Sequence, residues 1–387
     1  LVREIDISVA GIIALASVAM ALPNAALATN GMIMEGYGPI ATAMGGAAMA
    51  YDNGTAAMAN NPATLALAPQ GSRLDAALGF IGPNVEVGHP TWANSKAEAF
   101  YMPAIGYARK EGKLAYGLGI YAQGGMGTEY ANGDMAQVGV GRLILPLAYQ
   151  LSERLALGGS VDLVWAGMDL TFSSFGINFK DHSDYSGKAK GYGLAAKLGF
   201  TYKLDDRVTV GGVYQTAGNL SDLEGAGYKV QDFDMPPILA IGLSWQATDK
   251  LQFVADIKDV MWGSSMNTVS ILYPGAAICN PGINCAPFQQ DWQDQIVLAM
   301  GAAYKLGDRV TGRIGFNYCD NPIPTQNMNF LWPAIVDRHY TAGLGYALDA
   351  GGELNASLSY APEATQTNGP KVTHSQLNWQ LMYSKKF

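Results

Sequence analysis

The sequence predicts an all-β protein: a 14-stranded antiparallel transmembrane β-barrel with an N-terminal hatch, or plug, inside its lumen. Three observations lead there. Apolar residues alternate with small or polar ones at period two along most of the chain, the mark of a strand with two different faces. The connections between these segments alternate between short and long. Charged residues form only 14% of the 387 residues, against about 25% in soluble domains.

The chain divides into three parts: 1–28, a signal peptide; 29–70, the hatch; and 71–387, the barrel. One continuous apolar run, from Val9 to Leu22, opens the sequence. It is shorter than the roughly 20 residues of a spanning helix. The following Ala26-Leu27-Ala28 fits the small-x-small rule for signal peptidase, so cleavage is expected after Ala28. Residues 29–70 do not alternate. Gly36, Gly38, Gly45, Gly46, Ala47 and Ala48 dominate them, and Asn61-Pro62-Ala63 breaks the chain. A segment so poor in large side chains has no core of its own, and folding into the lumen is the simplest way to bury it.

Strands are expected near 72–82, 98–109, 113–124, 139–150, 155–170, 189–203, 207–218, 237–247, 250–262, 292–305, 308–319, 338–348, 352–361 and 375–387. In the third, Leu114, Tyr116, Leu118 and Ile120 share one face, and Ala115, Gly117, Gly119, Tyr121 and Gln123 the other. In the last, Leu377, Trp379, Leu381 and Tyr383 oppose Gln376, Asn378, Gln380 and Met382. Short turns are expected at 110–112, 152–154, 205–206, 248–249, 307–308 and 349–352. Long loops are expected at 83–97, 125–138, 171–188, 219–236, 263–291, 320–337 and 362–374. An even number of strands with turns at one end and loops at the other describes an outer-membrane barrel. In lipid no open sheet edge is tolerated, so the sheet must close.

The Leu, Ile, Val, Tyr and Trp face is assigned to lipid, with aromatics near segment ends as interfacial girdles. Arg73, Asp75, Asp162, Lys197, Asp256, Lys258 and Arg313 fall on the opposite face. There they avoid the roughly 2–4 kcal/mol that a lipid-facing charge costs near the midplane. The 47 glycines, about 12% of the chain where about 7% is usual, divide between that inner face and the hatch.

Whole function classes drop out. Twenty-four basic against 32 acidic residues, a net −8, leaves no basic footprint for nucleic acid. Gly-x-Ser-x-Gly, a phosphate loop and a dinucleotide fingerprint are all absent. His89, His182, His339 and His374 fall in loops or at strand ends, outside any nucleophile motif, so an enzyme is not expected. No Cys/His cluster has metal-site spacing, and neither a metal nor a cofactor is expected. Cys279 and Cys285 flank Pro281-Gly282, and export to an oxidising compartment favours a bridge between them. The alternative is that they and Cys319 all stay free.

Glu35-Gly36-Tyr37-Gly38, Ala43-Met44-Gly45-Gly46 and Asn61-Pro62-Ala63 resemble the N-terminal hatch of the FadL/TodX outer-membrane transporters. The likeness continues in order through Pro103 to Tyr107, 114–121, Gly127-Thr128-Glu129-Tyr130, 160–165, 256–262, 337–346 and Ser384-Lys385-Lys386-Phe387. Each motif alone is weak, but their collinear run is specific. Segments 126–130 and 160–165 lie nearer the toluene-uptake branch than the fatty-acid branch. The resemblance implies passive uptake of small hydrophobic molecules, with long-chain fatty acids as the alternative cargo and a purely structural or adhesive barrel as a further one. It also implies capture by extracellular loops, a lumenal pocket, and sideways exit at a kink in strand three.

Carried over residue by residue, the kink falls at Gly124, Gly125 and Gly127, where glycine bends a strand and leaves a gap unobstructed. Asn61, Pro62 and Ala63 are expected to face that gap. The hatch start, Thr29, Asn30, Gly31 and Met32, is expected near the pocket. Phe172, Phe175, Ile177, Phe179, Val230, Phe233 and Met235 stand in nominally water-facing loops, as do Met328, Phe330, Leu331 and Trp332. They form either a capture surface or the packing of a lid. The short strand 5–6 loop departs from larger relatives and implies a reduced external groove. Lys197, Lys258 and Arg313 are candidates to hold a substrate carboxylate, unless Asp162 and Asp256 neutralise them. The expected partners are a small hydrophobic substrate, outer-membrane lipid and lipopolysaccharide, and the barrel-assembly machinery through the C-terminal Phe387. The chain is expected to be a monomer.

Overall fold

Fourteen long strands form one closed antiparallel barrel in the computed structural model, which describes residues 30–88, 92–181 and 185–387. Residues 1–28, where a signal peptide is expected, and Thr29, His89 and His182 lie outside the described residues. The barrel strands are β1 (Gly71–Gly88), β2 (Phe100–Glu111), β3 (Leu114–Glu129), β4 (Met135–Gln150), β5 (Leu155–Phe172), β6 (Ala189–Lys203) and β7 (Val208–Gln215). They continue as β8 (Ile238–Gln246), β9 (Leu251–Val260), β10 (Gln295–Lys305), β11 (Val310–Cys319), β12 (Arg338–Ala347), β13 (Gly352–Thr367) and β14 (Lys371–Lys386). Each pairs with its sequence neighbours. β14 closes the circle on β1 from Arg73↔Lys386 to Gly88↔Lys371, so the sheet has no free edge to expose to lipid.

Two of the expected long loops are short, because their strands run on. β3 continues to Glu129 and leaves only 130–134, and β13 continues to Thr367 and leaves 368–370. Both strands pass through a β-bulge, at Ala122/Gly124 in β3 and at Ala361/Ala364 in β13. The glycine run and Pro362 read as strand ends, whereas a bulge absorbs them inside a continuing strand. The longer connections at that end carry short strands of their own. Tyr228–Gln231, Thr268–Leu272 and Cys285–Gln289 pair in series above the wall, and Cys279 is joined to Cys285 in a disulfide.

The two faces sort by side chain. Leu118, Leu147, Leu198, Ile241, Leu344 and Leu381 are exposed on the outside. Ala115, Tyr121, Ile144, Asp162, Lys197 and Asp256 are buried on the inside. The residues from 30 to 68 are likewise buried or half-buried, with none exposed. They contain one four-residue helix, Pro39–Thr42, and two short 3-10 turns, Gly54–Met58 and Pro62–Leu67. With so little regular structure, their backbone polar groups need partners from the wall.

Candidate functional site

The inward charges supply many of those partners. Asp256 accepts the N–H groups of Ala48 at 2.6 Å and Met49 at 3.2 Å with one oxygen. Lys258 donates to the Gly46 carbonyl at 2.8 Å. Asp75, paired with Arg73 at 2.7 Å, accepts both the N–H and the hydroxyl of Thr55. Arg313 donates to Asn355 at 3.0 Å. Glycine on both sides permits the close fit: a Cβ on Gly315 would stand 2.1 Å from the Gly45 nitrogen.

Asp162 lies higher in the wall, where Lys197 at 2.6 Å and Arg142 at 3.0 Å both donate to it. Asp162 thus neutralises Lys197, the first of the three candidate cations, while Lys258 donates to the Gly46 carbonyl and Arg313 to Asn355. Arg142 was not singled out from the sequence. Its signal was a lone charge on the strand face opposite Leu143, Leu145 and Leu147.

Gly124, Gly125 and Gly127 lie together beside a break in the wall. β2 and β3 pair from Glu111↔Leu114 up to Ala104↔Tyr121 and no further. Beyond that point β3 pairs only with β4. Residues 32–34 run along its free side, with an Ile33↔Gly124 bridge and a hydrogen bond from the Gly125 N–H to the Met32 carbonyl at 3.0 Å. A Cβ on Gly124 would stand 1.9 Å from that carbonyl oxygen. All three glycines line a cavity of about 980 Å³ that is bordered by inner residues such as Gly31 and His374 and by outer ones such as Tyr101 and Ile120. Tyr185 covers one outer margin and donates to the Gly167 carbonyl at 2.9 Å.

Asn61, Pro62 and Ala63 do not border this cavity. Asn61 donates to the carbonyls of Met49 and Phe200, and the turn packs on Gly158 and Gly199 of β5 and β6. The part of the segment that meets the kink is 31–34. Asn30, Gly31 and Met32 are buried, and Gly31 packs against Trp262. Inside the gap Met32, Met126, Met168, Met266, Trp292 and Trp332 line a small apolar recess. No charged side chain borders that recess among the described residues. Methionine and tryptophan give a soft, polarisable surface that adapts to apolar shapes.

Phe172, Ile177, Phe179, Val230, Phe233 and Met235 are buried in one large cluster with Met32, Trp262 and Trp332, while Phe175 stays exposed. Six of these seven loop residues are thus packed against one another, and Phe175 alone keeps an exposed edge. Met328, Leu331 and Trp332 are buried in the same cluster. From Phe175 an aromatic series leads inward, through Phe288 at 5.2 Å and then Trp332 at 5.5 Å, to the recess. His339 stands at the start of its strand, as expected, whereas His374 lies within a strand rather than in a loop. They sit buried in β12 and β14, where the alternation turns them inward, and His374 Nδ1 lies 2.7 Å from the Pro333 carbonyl.

A closed barrel with an apolar outer wall and a filled lumen is the architecture of an outer-membrane transport protein. The family model described as outer membrane protein transport protein (OMPP1/FadL/TodX) matches residues 15–382, and the chain belongs to that family. Among solved structures it is similar to the toluene transporter TodX of Pseudomonas putida, at 27% identity over 93% of this chain and 100% of that one, TM-score 0.79. The toluene transporter TbuX of Ralstonia pickettii follows at 26% identity, 91% and 99% coverage and TM-score 0.74. A FadL homologue of Pseudomonas aeruginosa shares the fold at 14% identity, 92% and 100% coverage and TM-score 0.74. A search of curated proteins gave no match. Family and fold together place the chain in the outer membrane of a Gram-negative bacterium, among transporters rather than enzymes.

Proposed function

We propose that this protein carries small neutral hydrophobic molecules, monoaromatic hydrocarbons or compounds of similar size, passively across the outer membrane. Substrate enters past the Phe175 edge, reaches the Met/Trp recess, whose space of about 10 Å³ must widen by movement of its flexible methionines, and leaves sideways between β2 and β3. Residues 29–70 act as the hatch that closes the straight route to the periplasm. The observation that carries this reading is the cavity at the kink, bordered by lumen-facing and lipid-facing residues at once. Glycines keep that gap free of side chains. The recess has no charged side chain on its border, which favours a neutral cargo, while Lys96 and Lys190 border the cavity beside the kink and keep a fatty-acid carboxylate as the alternative.

Initial uptake of labelled toluene and of labelled oleate should be compared in cells with and without the protein. Expression is expected to raise toluene uptake severalfold and to leave oleate uptake nearly unchanged. Equal toluene uptake with and without the protein would leave only a structural barrel, and a rise for oleate alone would make fatty acids the cargo.

A further inference from the structure

We propose that Arg142 is a positioning residue that fixes the register of upper β3 and thereby turns Met126 into the substrate recess. This rests on the reading of the kink as the transport site. Below the bulge, β3 turns its odd-numbered residues inward: Ala115 pairs with Ala148 and Tyr121 with Arg142, all four buried. Above it the even-numbered residues turn inward: Met126 pairs with Val138 and Thr128 with Ala136. Val138, Thr128 and Ala136 are buried, and Met126 lines the recess. The extra residue is Gln123, between Ala122↔Gly141 and Gly124↔Val140. Were it drawn back into the ladder, every residue above it would change face. Gly125 and Gly127 would then turn inward, and Met126 would turn toward lipid.

Gln123 is held at both ends. Its backbone carbonyl accepts from the Tyr37 hydroxyl at 2.9 Å and the Met34 N–H at 3.4 Å. Its side-chain oxygen accepts from Arg142 Nε at 2.6 Å. Arg142 is itself fixed, since its Nη1 donates to Asp162 at 3.0 Å. Lys197 and Ser160 also donate to Asp162, at 2.6 Å each. A planar guanidinium bound at two nitrogens has its orientation set, so the Gln123 side chain cannot swing into the ladder without breaking a buried charge-assisted bond. A lysine at position 142 offers a point charge and cannot span both partners in that fork.

The test reads register directly. Nitroxide labels are placed at Met126→Cys and Thr128→Cys, in a Cys319→Ala background, in purified protein reconstituted in lipid. Accessibility to oxygen, which partitions into lipid, is compared with that of a lipid-facing label at Leu118→Cys. With Arg142 present both labels should stay well below the Leu118 reference. In Arg142→Met, which leaves Asp162 paired with Lys197, and in Arg142→Lys, both should rise to that reference. Gln123→Ala, which alters no charge, should do the same and covers the case in which the arginine variants do not assemble. Labels at 126 and 128 that stay lumenal in the assembled variants would overturn the proposal. Because the labels report register without transport, a failed uptake assay would dismiss the passage and leave this result standing.

Discussion

Single side chains decide how residues 30–70 are held, and the inward charges show how. Asp256 accepts two backbone N–H groups of that segment with one oxygen, and such charged bonds contribute about 1.5–3 kcal/mol each. Asp256→Asn is therefore expected to loosen the stretch around Ala48 while the barrel stays assembled. Limited proteolysis should cut there severalfold faster, with the heat-modifiable mobility of the folded barrel unchanged; an unaltered cleavage rate would contradict this. These charges were legible from alternation alone, because a charge on a strand's small-residue face has only the lumen to go to. What they bind was not legible, since Gly46, Ala48 and Met49 are more than 200 positions away in sequence. The loop aromatics stayed ambiguous for the same reason: local sequence marks them as apolar and says nothing of the other loops that cover them.

At the scale of elements, strand identity was easier to read than strand ends. The start of β3 and its alternation were plain, but Gly124 to Gly127 looked like a terminus. In fact a bulge carries the strand on to Glu129. Pro362 misled in the same way in β13, where the register shift accommodates it. A bulge depends on what the neighbouring strand offers, here Arg142, and short-range patterns do not contain that information. Gly127 gives the clearest element-level prediction. A Cβ there would meet the Phe100 ring at 2.6 Å, whereas at Gly124 it would strike the Met32 carbonyl and disturb residues 31–34 as well. Gly127→Leu should therefore lower toluene uptake at least severalfold without loss of folded protein in the outer membrane. Normal uptake by that variant would remove the kink from the route.

For the whole molecule, the shortage of charge has a physical location. The wall from β1 to β14 exposes leucine, isoleucine, valine and tyrosine outward, and the few charges retained lie in the lumen, the turns and the loops. Ile241→Arg, on that outer wall, is expected to destabilise the barrel by about 2–4 kcal/mol. Asp249→Arg, in an exposed turn, should change stability by less than about 0.5 kcal/mol. Urea unfolding in lipid vesicles measures both, and equal midpoints for the two variants would contradict the assignment of faces. The central claim concerns the gap between β2 and β3, and sealing it is the most direct test. Pro103→Cys and Ala122→Cys place one thiol on each bordering strand of the cavity, and a short cleavable cross-linker joins them in assembled protein. Toluene uptake should fall to the level of cells lacking the protein when the link is made and return when it is cleaved. Undiminished uptake by the fully cross-linked barrel would show that substrate leaves by another path.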